Sequence, residues 1–167
     1  MKVEIYSRKA MEELLKNDPP QNTAVISFFT PVSTRLPCSQ PIDYKNRIAK
    51  IFQVGVHDID IEVLEEFGLT YDTYFPQVNQ LAEFIYSVKA EGLDIICQCD
   101  YGQSRSAACA AAILEHFYKR GISVFANYKY CPNQLIYNQV FDALENYTLS
   151  DIREVHASHG RAPRDKV

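Results

Sequence analysis

No run of lysine and arginine occurs in this 167-residue chain, and its formal net charge is −4. Duplex nucleic acid is bound by clustered cations that neutralise its phosphates. We therefore expect no nucleic acid partner. A single pocket can still be positive on an acidic protein, so a compact phosphorylated substrate is compatible with this charge.

Long apolar runs are also missing, and no stretch approaches the roughly 18 residues that a membrane-spanning helix requires. The N-terminal segment carries early charges and lacks the apolar centre of a secretory signal. The five cysteines are odd in number and lack the spacing of a disulfide framework: Cys38, Cys97, Cys99, Cys109 and Cys131. These absences predict free thiols in a reducing compartment, hence a cytoplasmic protein without a membrane partner.

The composition is that of one soluble globular domain, with 47% apolar and 23% charged residues. Internal repeats and low-complexity tracts are absent. We expect a single domain over residues 1–150, followed by a flexible polar tail over 151–167.

Apolar patterning predicts an α/β fold with a central, mostly parallel sheet flanked by helices. The predicted strands cover 2–6, 23–29, 49–56 and 93–97. The predicted helices cover about 8–16, from Pro76 to Gly92, 105–120 up to Gly121, and a last stretch from about Asn133. The proline-rich segment 30–47 is predicted to be a loop.

One motif lies where a predicted strand passes into a predicted helix: Cys99, Asp100, Tyr101, Gly102, Gln103, Ser104, Arg105 and Ser106. Five residues between Cys99 and Arg105 let the chain curl around a phosphoryl group with its backbone N–H groups inward. Gly102 gives this curl conformational freedom. The planar fork of Arg105 can bind two phosphoryl oxygens. The motif therefore predicts a phosphate-binding loop formed by residues 100–105.

Cys99 is the candidate nucleophile of this loop. The positive field of the loop favours its thiolate near neutrality, and the thiolate can form a phosphocysteine intermediate. The hydroxyl of Ser106 can donate a hydrogen bond to the sulfur when it becomes the leaving group, or help to cap the helix. The alternative interpretation is a buried structural cysteine beside an exposed arginine.

The Cys-x5-Arg-Ser loop, with a strand before it and a helix after it, resembles the protein tyrosine phosphatase superfamily. The compact size resembles its dual-specificity branch or the small prokaryote-type predicted tyrosine phosphatases, and the resemblance covers roughly residues 23–147. The mid-chain position of Cys99 disfavours the low-molecular-weight branch, whose loop lies at the N-terminus. The resemblance implies a cysteine-dependent phosphomonoesterase that needs no metal or other cofactor. Its substrate would be a phosphorylated protein or a small phosphate monoester.

One position departs from the family pattern. The family usually has histidine directly before the nucleophile, whereas this chain has Gln98. Glutamine supplies hydrogen bonds but no charge, so we expect a lower rate. The alternative is a catalytically weak pseudophosphatase that binds phosphorylated partners. A third interpretation, sulfur transfer on a rhodanese-like loop, is disfavoured by the Arg105-Ser106 pair.

The resemblance also implies a general acid, an aspartate that follows a strand upstream of the nucleophile. Asp58 follows the predicted strand 49–56 and is the first candidate, with Asp60 the second. These acids could also belong to a solvated turn without catalytic work.

Within the loop, the Asp100 side chain is expected to point away from phosphate, and Tyr101 and Gln103 to face outward or flank the substrate. The loop has no lysine or histidine, which disfavours highly charged phosphoinositides.

Several further residues have structural interpretations. We predict a packed Cys97 rather than a disulfide with Cys99, and a packed His116. A zinc site from these three residues lacks the usual spacing. Asn133 is predicted to cap the last helix, with a supporting role at the site as the weaker alternative. A second set is predicted to lie in the core rather than in a substrate cleft: Tyr71, Tyr74 and Phe75.

Overall fold

Four parallel strands form the central sheet of the protein, in the order β1-β4-β2-β3. A computed structural model describes residues 1–17, 19–33 and 35–159, with side chains through residue 148. The strands are β1 (Val3–Ser7), β2 (Thr23–Phe29), β3 (Lys50–Gly55) and β4 (Asp94–Cys99). This arrangement confirms the predicted α/β fold with a parallel sheet. β4 begins one residue later and ends two residues later than predicted, so that Cys99 is its last residue.

Six helices connect and flank these strands in the described part of the chain: α1 (Arg8–Lys16), α2 (Tyr71–Tyr74), α3 (Val78–Ala90), α4 (Arg105–Tyr118), α5 (Ile122–Phe125) and α6 (Gln134–His159). α1 begins where predicted, because the Ser7 hydroxyl accepts a hydrogen bond from the backbone N–H of Ala10. α4 ends earlier than Gly121, because Lys119 adopts the left-handed conformation with φ 56°. α3 begins two residues after Pro76.

The last helix continues beyond the predicted start of the tail. α6 extends to His159, whereas we expected the tail to begin at 151. Residues 160–167 lie outside the described residues, and the flexibility of the tail stays a prediction. None of the described helices is both long and apolar enough to cross a bilayer.

Alternation along the strands divides the core between the two faces of the sheet. Ile26 and Phe28 of β2 face the layer that contains α3, α4 and α6. Val25 of β2 and Ile96 of β4 face the other layer, where Met11 of α1 packs with the segment 42–48. The sheet is thus covered on both faces.

Candidate active site

The carboxyl ends of the four strands meet at one edge of the sheet, which in open α/β sheets is the ligand-binding edge. Arg8 follows β1, Thr30 follows β2, Asp58 lies shortly after β3, and Cys99 ends β4. The cleft at this edge has a volume of about 500 Å³. The predicted phosphate-binding loop begins at this edge, directly after β4.

The Cys99 sulfur is enclosed by its own loop. Cys99 is 2% exposed, and its sulfur lies 3.1 Å from the Ser106 hydroxyl oxygen. The backbone N–H of Gly102 donates to the sulfur at 3.3 Å. The structure therefore places the Ser106 hydroxyl beside the sulfur of Cys99, the candidate nucleophile, and curls the loop back over that sulfur.

Gly102 is required by both its conformation and its surroundings. Its φ is +69°, in the left-handed region that favours glycine. A Cβ at this position would lie 2.6 Å from the backbone nitrogen of Ser7. The loop is therefore packed directly against the junction of β1 and α1.

The guanidinium of Arg105 is buried and held by three hydrogen bonds. Nη1 donates to the Thr30 hydroxyl at 3.1 Å and to the Val56 carbonyl at 3.0 Å, and Nη2 donates to Asp100 at 2.7 Å. Nε is buried without a hydrogen-bond partner among the described residues. A guanidinium has five N–H donors, so the Nε–H and one N–H of Nη2 are left for a ligand. Nε and Nη2 form one edge of the planar fork, which suits two oxygens of a phosphoryl group.

Asp58 lies beside this edge of Arg105. Its Oδ1 accepts hydrogen bonds from Ser104 Oγ at 2.6 Å and from Asn133 Nδ2 at 3.1 Å, and its Oδ2 lies 3.8 Å from Arg105 Nε. Asp60 instead accepts from the backbone N–H of Ile61, which begins a short 3-10 turn. Of the two candidate acids, the structure brings Asp58 to the loop.

Asp100 corrects one of the predictions. Its side chain does not point away but lines the cleft, where it accepts from Arg105 and from the Ser39 hydroxyl at 2.9 Å and pairs with Arg8 Nε at 3.2 Å. Burial acts to raise the pKa of this carboxyl, but the hydrogen bonds from Arg105, Ser39 and Arg8 outweigh it and lower the pKa. An acid is tolerated beside a phosphate site because two guanidinium groups flank it.

Gln98, the departure from the family pattern, is wholly buried. Its Oε1 accepts a hydrogen bond from the Ser27 hydroxyl on β2 at 2.7 Å. Its Nε2 has no hydrogen-bond partner in the part of the chain that the structure describes. Tyr101, by contrast, is 82% exposed, and Gln103 is also exposed, so both side chains face outward, which was one of the two predicted placements.

The cysteines and His116 have the structural roles that were predicted for them. All five cysteines are free, and Cys97 is fully buried. Burial, and then the neighbouring Cys109, raise the pKa of the Cys97 thiol. His116 is hydrogen-bonded to Tyr86 and Glu145, at 2.7 Å each. The described residues contain no cluster of three histidine, cysteine or acidic residues that could hold a metal ion.

Asn133 combines its two predicted roles. Its Oδ1 caps α6 by accepting from the N–H of Ile136 at 2.9 Å, while its Nδ2 donates to Asp58 and to the Ile59 carbonyl. Tyr74 and Phe75 are buried in the core, as predicted, whereas Tyr71 is 38% exposed.

Three contributors to the site escaped sequence reasoning. Arg8 and Thr30 directly follow strands, and their position at the carboxyl ends of β1 and β2 could have identified them. Ser39 lies in the proline-rich segment 30–47 and has no such signal. It reaches Asp100 only because that segment folds back over the cleft, where its backbone N–H donates to the Thr30 carbonyl.

No family model matches the chain, and no curated protein matches it in sequence. Its fold, however, is similar to those of solved phosphatases. PTPMT1 aligns with a TM-score of 0.53 and 17% identity, over 91% of this chain and 95% of that one. PTPMT1 in complex with PI(5)P aligns with a TM-score of 0.50 and 16% identity, over 90% and 94%.

Two other phosphatase structures are similar to the same degree. A variant of human DUSP28 aligns with a TM-score of 0.50 and 18% identity, over 89% of this chain and 92% of that one. A mutant form of Tk-PTP gives 0.50 and 15%, over 89% and 93%. These likenesses extend over nearly all of the chain. They show that the chain shares the fold of these phosphatase structures.

Proposed function

We propose that this chain is a cysteine-dependent phosphomonoesterase of the protein tyrosine or dual-specificity phosphatase type. The observation that carries the proposal is the convergence of three groups at the carboxyl edge of the sheet. These groups are the Cys99 sulfur within its loop, the Arg105 guanidinium, whose Nε has no hydrogen-bond partner among the described residues, and the Asp58 carboxylate. A nucleophile, an oxyanion clamp and an acid are the groups that transfer of a phosphoryl group to sulfur requires.

In the first step, the phosphoryl oxygens bind the Nε and Nη2 edge of Arg105 and the backbone N–H groups of the loop. The Cys99 thiolate attacks phosphorus and the bond from phosphorus to the ester oxygen breaks. Asp58 gives its proton to the departing oxygen, which leaves as an alcohol or a phenol. Phosphate is then bound covalently to sulfur.

In the second step, water attacks the phosphocysteine while the Asp58 carboxylate accepts one of its protons. The bond between sulfur and phosphorus breaks, inorganic phosphate is released, and the electron pair returns to Cys99. The Ser106 hydroxyl, 3.1 Å from this sulfur, is placed to donate a hydrogen bond to the thiolate as it forms. Neither of the two proposed steps requires a metal or another cofactor.

The position of Asp58 is suited to an acid in this cycle. A phosphate dianion at the free edge of Arg105 would come within a few ångströms of the Asp58 carboxyl, because Oδ2 is 3.8 Å from Nε. Asn133 and Ser104 hold the other carboxyl oxygen, which keeps Oδ2 directed at the substrate.

A phosphorylated protein or a small phosphate monoester is the substrate class we propose. The loop itself contributes a single cation, Arg105, which suits one phosphate group better than a highly charged headgroup. PTPMT1 has been solved with PI(5)P, so a phosphoinositide belongs in any substrate panel. Free cysteines suit a reducing environment, and we propose a cytoplasmic location.

Hydrolysis of an aryl phosphate tests the proposal directly. Activity is measured from about pH 5 to 8 with reductant and a metal chelator, for wild type, Cys99→Ser and Cys131→Ser. We expect Cys99→Ser to lose about a thousandfold or more in kcat. Cys131→Ser, which removes an exposed thiol, should retain full activity. Equal activity of wild type and Cys99→Ser would refute catalysis by Cys99.

A second experiment tests the acid. Asp58→Asn should lower kcat by about 100- to 1000-fold for a phosphate ester with a poor leaving group. The loss should be smaller for a nitrophenyl ester, whose leaving oxygen needs less protonation. Asp60→Asn is the matched control and should leave kcat unchanged. A uniform loss across leaving groups would contradict a proton-donating role for Asp58.

A pseudophosphatase is the alternative, and Gln98 is the observation that favours it. An uncharged amide stands next to the nucleophile, and its only hydrogen-bond partner among the described residues is Ser27. A pseudophosphatase would bind phosphopeptides through Arg105 without releasing phosphate. Measuring binding and phosphate release on the same peptide separates the two functions.

A further inference from the structure

A second pocket adjoins the catalytic cleft, between α1 and the segment 41–47. Its volume is about 420 Å³. Its apolar wall includes Leu15, Ile42 and Tyr44, the last two of which are buried. Four cations also line it: Arg8, Lys16, Lys45 and Arg47. The pocket plays no part in the proposed mechanism.

The charge in this pocket is positive overall. Its carboxylates are those of Glu12 and Asp43, against four cations. Glu12 lies 3.8 Å from Arg8, and Asp43 accepts from the backbone N–H of Lys45. The ammonium groups of Lys16 and Lys45 have neither an ion pair nor a hydrogen bond within the described ranges, so both are available to an anion.

Hydrogen bonds to backbone carbonyls fix the side chain of Arg47 in the pocket, and a turn of the chain places Lys45 there. The Arg47 guanidinium donates to the carbonyls of Leu15 and, at 2.8 Å, of Asn17, at the carboxyl end of α1. It is therefore fixed by carbonyl groups and keeps its full charge. Lys45 has φ 49°, a conformation that residues with a side chain rarely adopt, in the turn that closes the pocket.

Arg8 connects the pocket to the catalytic cleft, because its side chain lines both. Its Nε pairs with Asp100 on the catalytic side, and its Nη1 faces Glu12 on the other. The two cavities therefore share one side chain as a wall. A peptide in an extended conformation can therefore occupy both cavities by passing this one side chain.

We propose that this pocket binds an acidic side chain of a peptide substrate whose phosphorylated residue occupies the catalytic cleft. The inference rests on the proposed function and assigns its substrate class: phosphopeptides with an aspartate, a glutamate or a second phosphorylated residue near the scissile phosphate. A peptide fits better than a bilayer. The cations form one recessed pocket on a chain of net charge −4, whereas anionic membranes select extended polybasic surfaces.

The test is a peptide series around one phosphorylated residue. One peptide has neutral flanks, others carry a single glutamate at each of the five positions on either side, and a last set replaces that glutamate with a phosphorylated residue. Wild type is compared with Lys16→Gln/Lys45→Asn. Asparagine is chosen because it tolerates the left-handed conformation at position 45. Lys9→Gln, which removes an exposed lysine of the same helix outside the pocket, is the control.

We expect kcat/KM of wild type to be about three- to tenfold higher for an acidic residue at one or two positions than for the neutral peptide. The double variant should lose this preference, and Lys9→Gln should keep it. Hydrolysis of a small aryl phosphate should be the same in all three proteins, and added salt should weaken the preference.

The proposal is overturned if wild type has the same kcat/KM for every peptide of the series. It is also overturned if the double variant keeps the preference for acidic peptides. Binding to anionic lipid vesicles that depends on Lys16 and Lys45, without any peptide preference, also overturns it. Failure of the proposed function is recognised separately, because wild type then hydrolyses no phosphate ester. In that case Cys99→Ser is titrated with the same peptides, and equal affinities for acidic and neutral flanks overturn the proposal.

Discussion

Asp100 holds the arginine that the proposed reaction depends on. Its carboxylate binds Nη2 of Arg105, while Ser39 and Arg8 hold the carboxylate itself. Hydrogen bonds to charged groups contribute about 1.5–3 kcal/mol each. Asp100 therefore orients Arg105, and it also reduces the positive charge of the cleft.

Asp100→Asn separates these two effects. The variant keeps a side chain of similar shape but loses the charge that aligns Arg105. We expect kcat for an aryl phosphate to fall about 10- to 100-fold. Inhibition by inorganic phosphate should be at least as strong as in wild type, because a negative charge has left the cleft. Asp43→Asn, outside the catalytic cleft, is the control, and parallel losses of kcat and phosphate affinity would contradict a positioning role.

The placement of Cys99, Arg105 and Ser106 around one loop was predictable because they lie within one continuous motif whose spacing fixes the loop. The contacts of Asp100 were not predictable, because its partners Ser39 and Arg8 lie 61 and 92 residues away in the chain. From the sequence we expected the acidic side chain in this loop to point away from phosphate. The fold instead neutralises it with two arginines.

Contact between the loop and the junction of β1 with α1 joins two elements that are distant in the chain. The N–H of Arg8 donates to the Asp100 carbonyl at 3.2 Å, and β1 pairs with β4 so that Ser7 stands opposite Cys99. Gly102 then approaches the Ser7 backbone too closely for any side chain. The N-terminal strand thus supports the proposed catalytic loop.

Gly102→Ala should displace the loop from this junction. The added methyl group would meet Ser7 and Tyr6 backbone atoms at 2.6–3.0 Å, in a left-handed conformation that already costs about 1–2 kcal/mol. We expect activity on an aryl phosphate to fall by about 100-fold or more, together with a lower free energy of unfolding in urea.

Gly68→Ala is the matched control. Gly68 has nearly the same φ, +68°, and nothing lies within 4 Å of the added Cβ. It should lose stability by about 1 kcal/mol and retain full activity. If the two variants lose activity to the same extent, close packing of the loop against β1 is not what shapes the site.

Strand ends made Asp58 the first candidate acid and Asp60 the second, but they could not decide between the two, because both follow β3 within five residues of its end. The distinction depends on Asn133, which lies 75 residues from Asp58 and binds it from the start of α6. A capping residue was predictable there, whereas the second partner of its amide was not.

Across the entire fold, the alternation of strands and helices predicted a parallel sheet covered on both faces. It did not predict the strand order, because hydrophobic patterning reports burial and not neighbours. β4 pairs with both β1 and β2, so the strand that ends in Cys99 is central. That position brings residues from three other strand ends to the loop that follows Cys99, which is why the site contains more polar groups than the motif alone.

Two titratable residues near the site, His57 and Asp100, make the stability of the fold depend on pH. His57 follows β3 beside the site, and desolvation, then the charge of Arg105, lower its pKa from 6.5. The unfolded chain therefore binds a proton at this histidine more readily than the folded chain does. The free energy of unfolding should fall as pH decreases from 6.5 towards the pKa of His57 in the folded protein. The stabilisation that the lowered pKa of Asp100 supplies is present above 3.8 and is lost at still lower pH.

Urea unfolding at about pH 7.5 and 5.5 measures the histidine contribution separately. Wild type should lose more stability between these two pH values than His57→Gln, since Asp100 remains ionised at both. Asp100→Asn should keep the wild-type difference in this range and depart from it only below about pH 4. An identical loss in wild type and His57→Gln would mean that Arg105 and burial do not act on this histidine. The acid sensitivity of the fold would then originate away from the cleft.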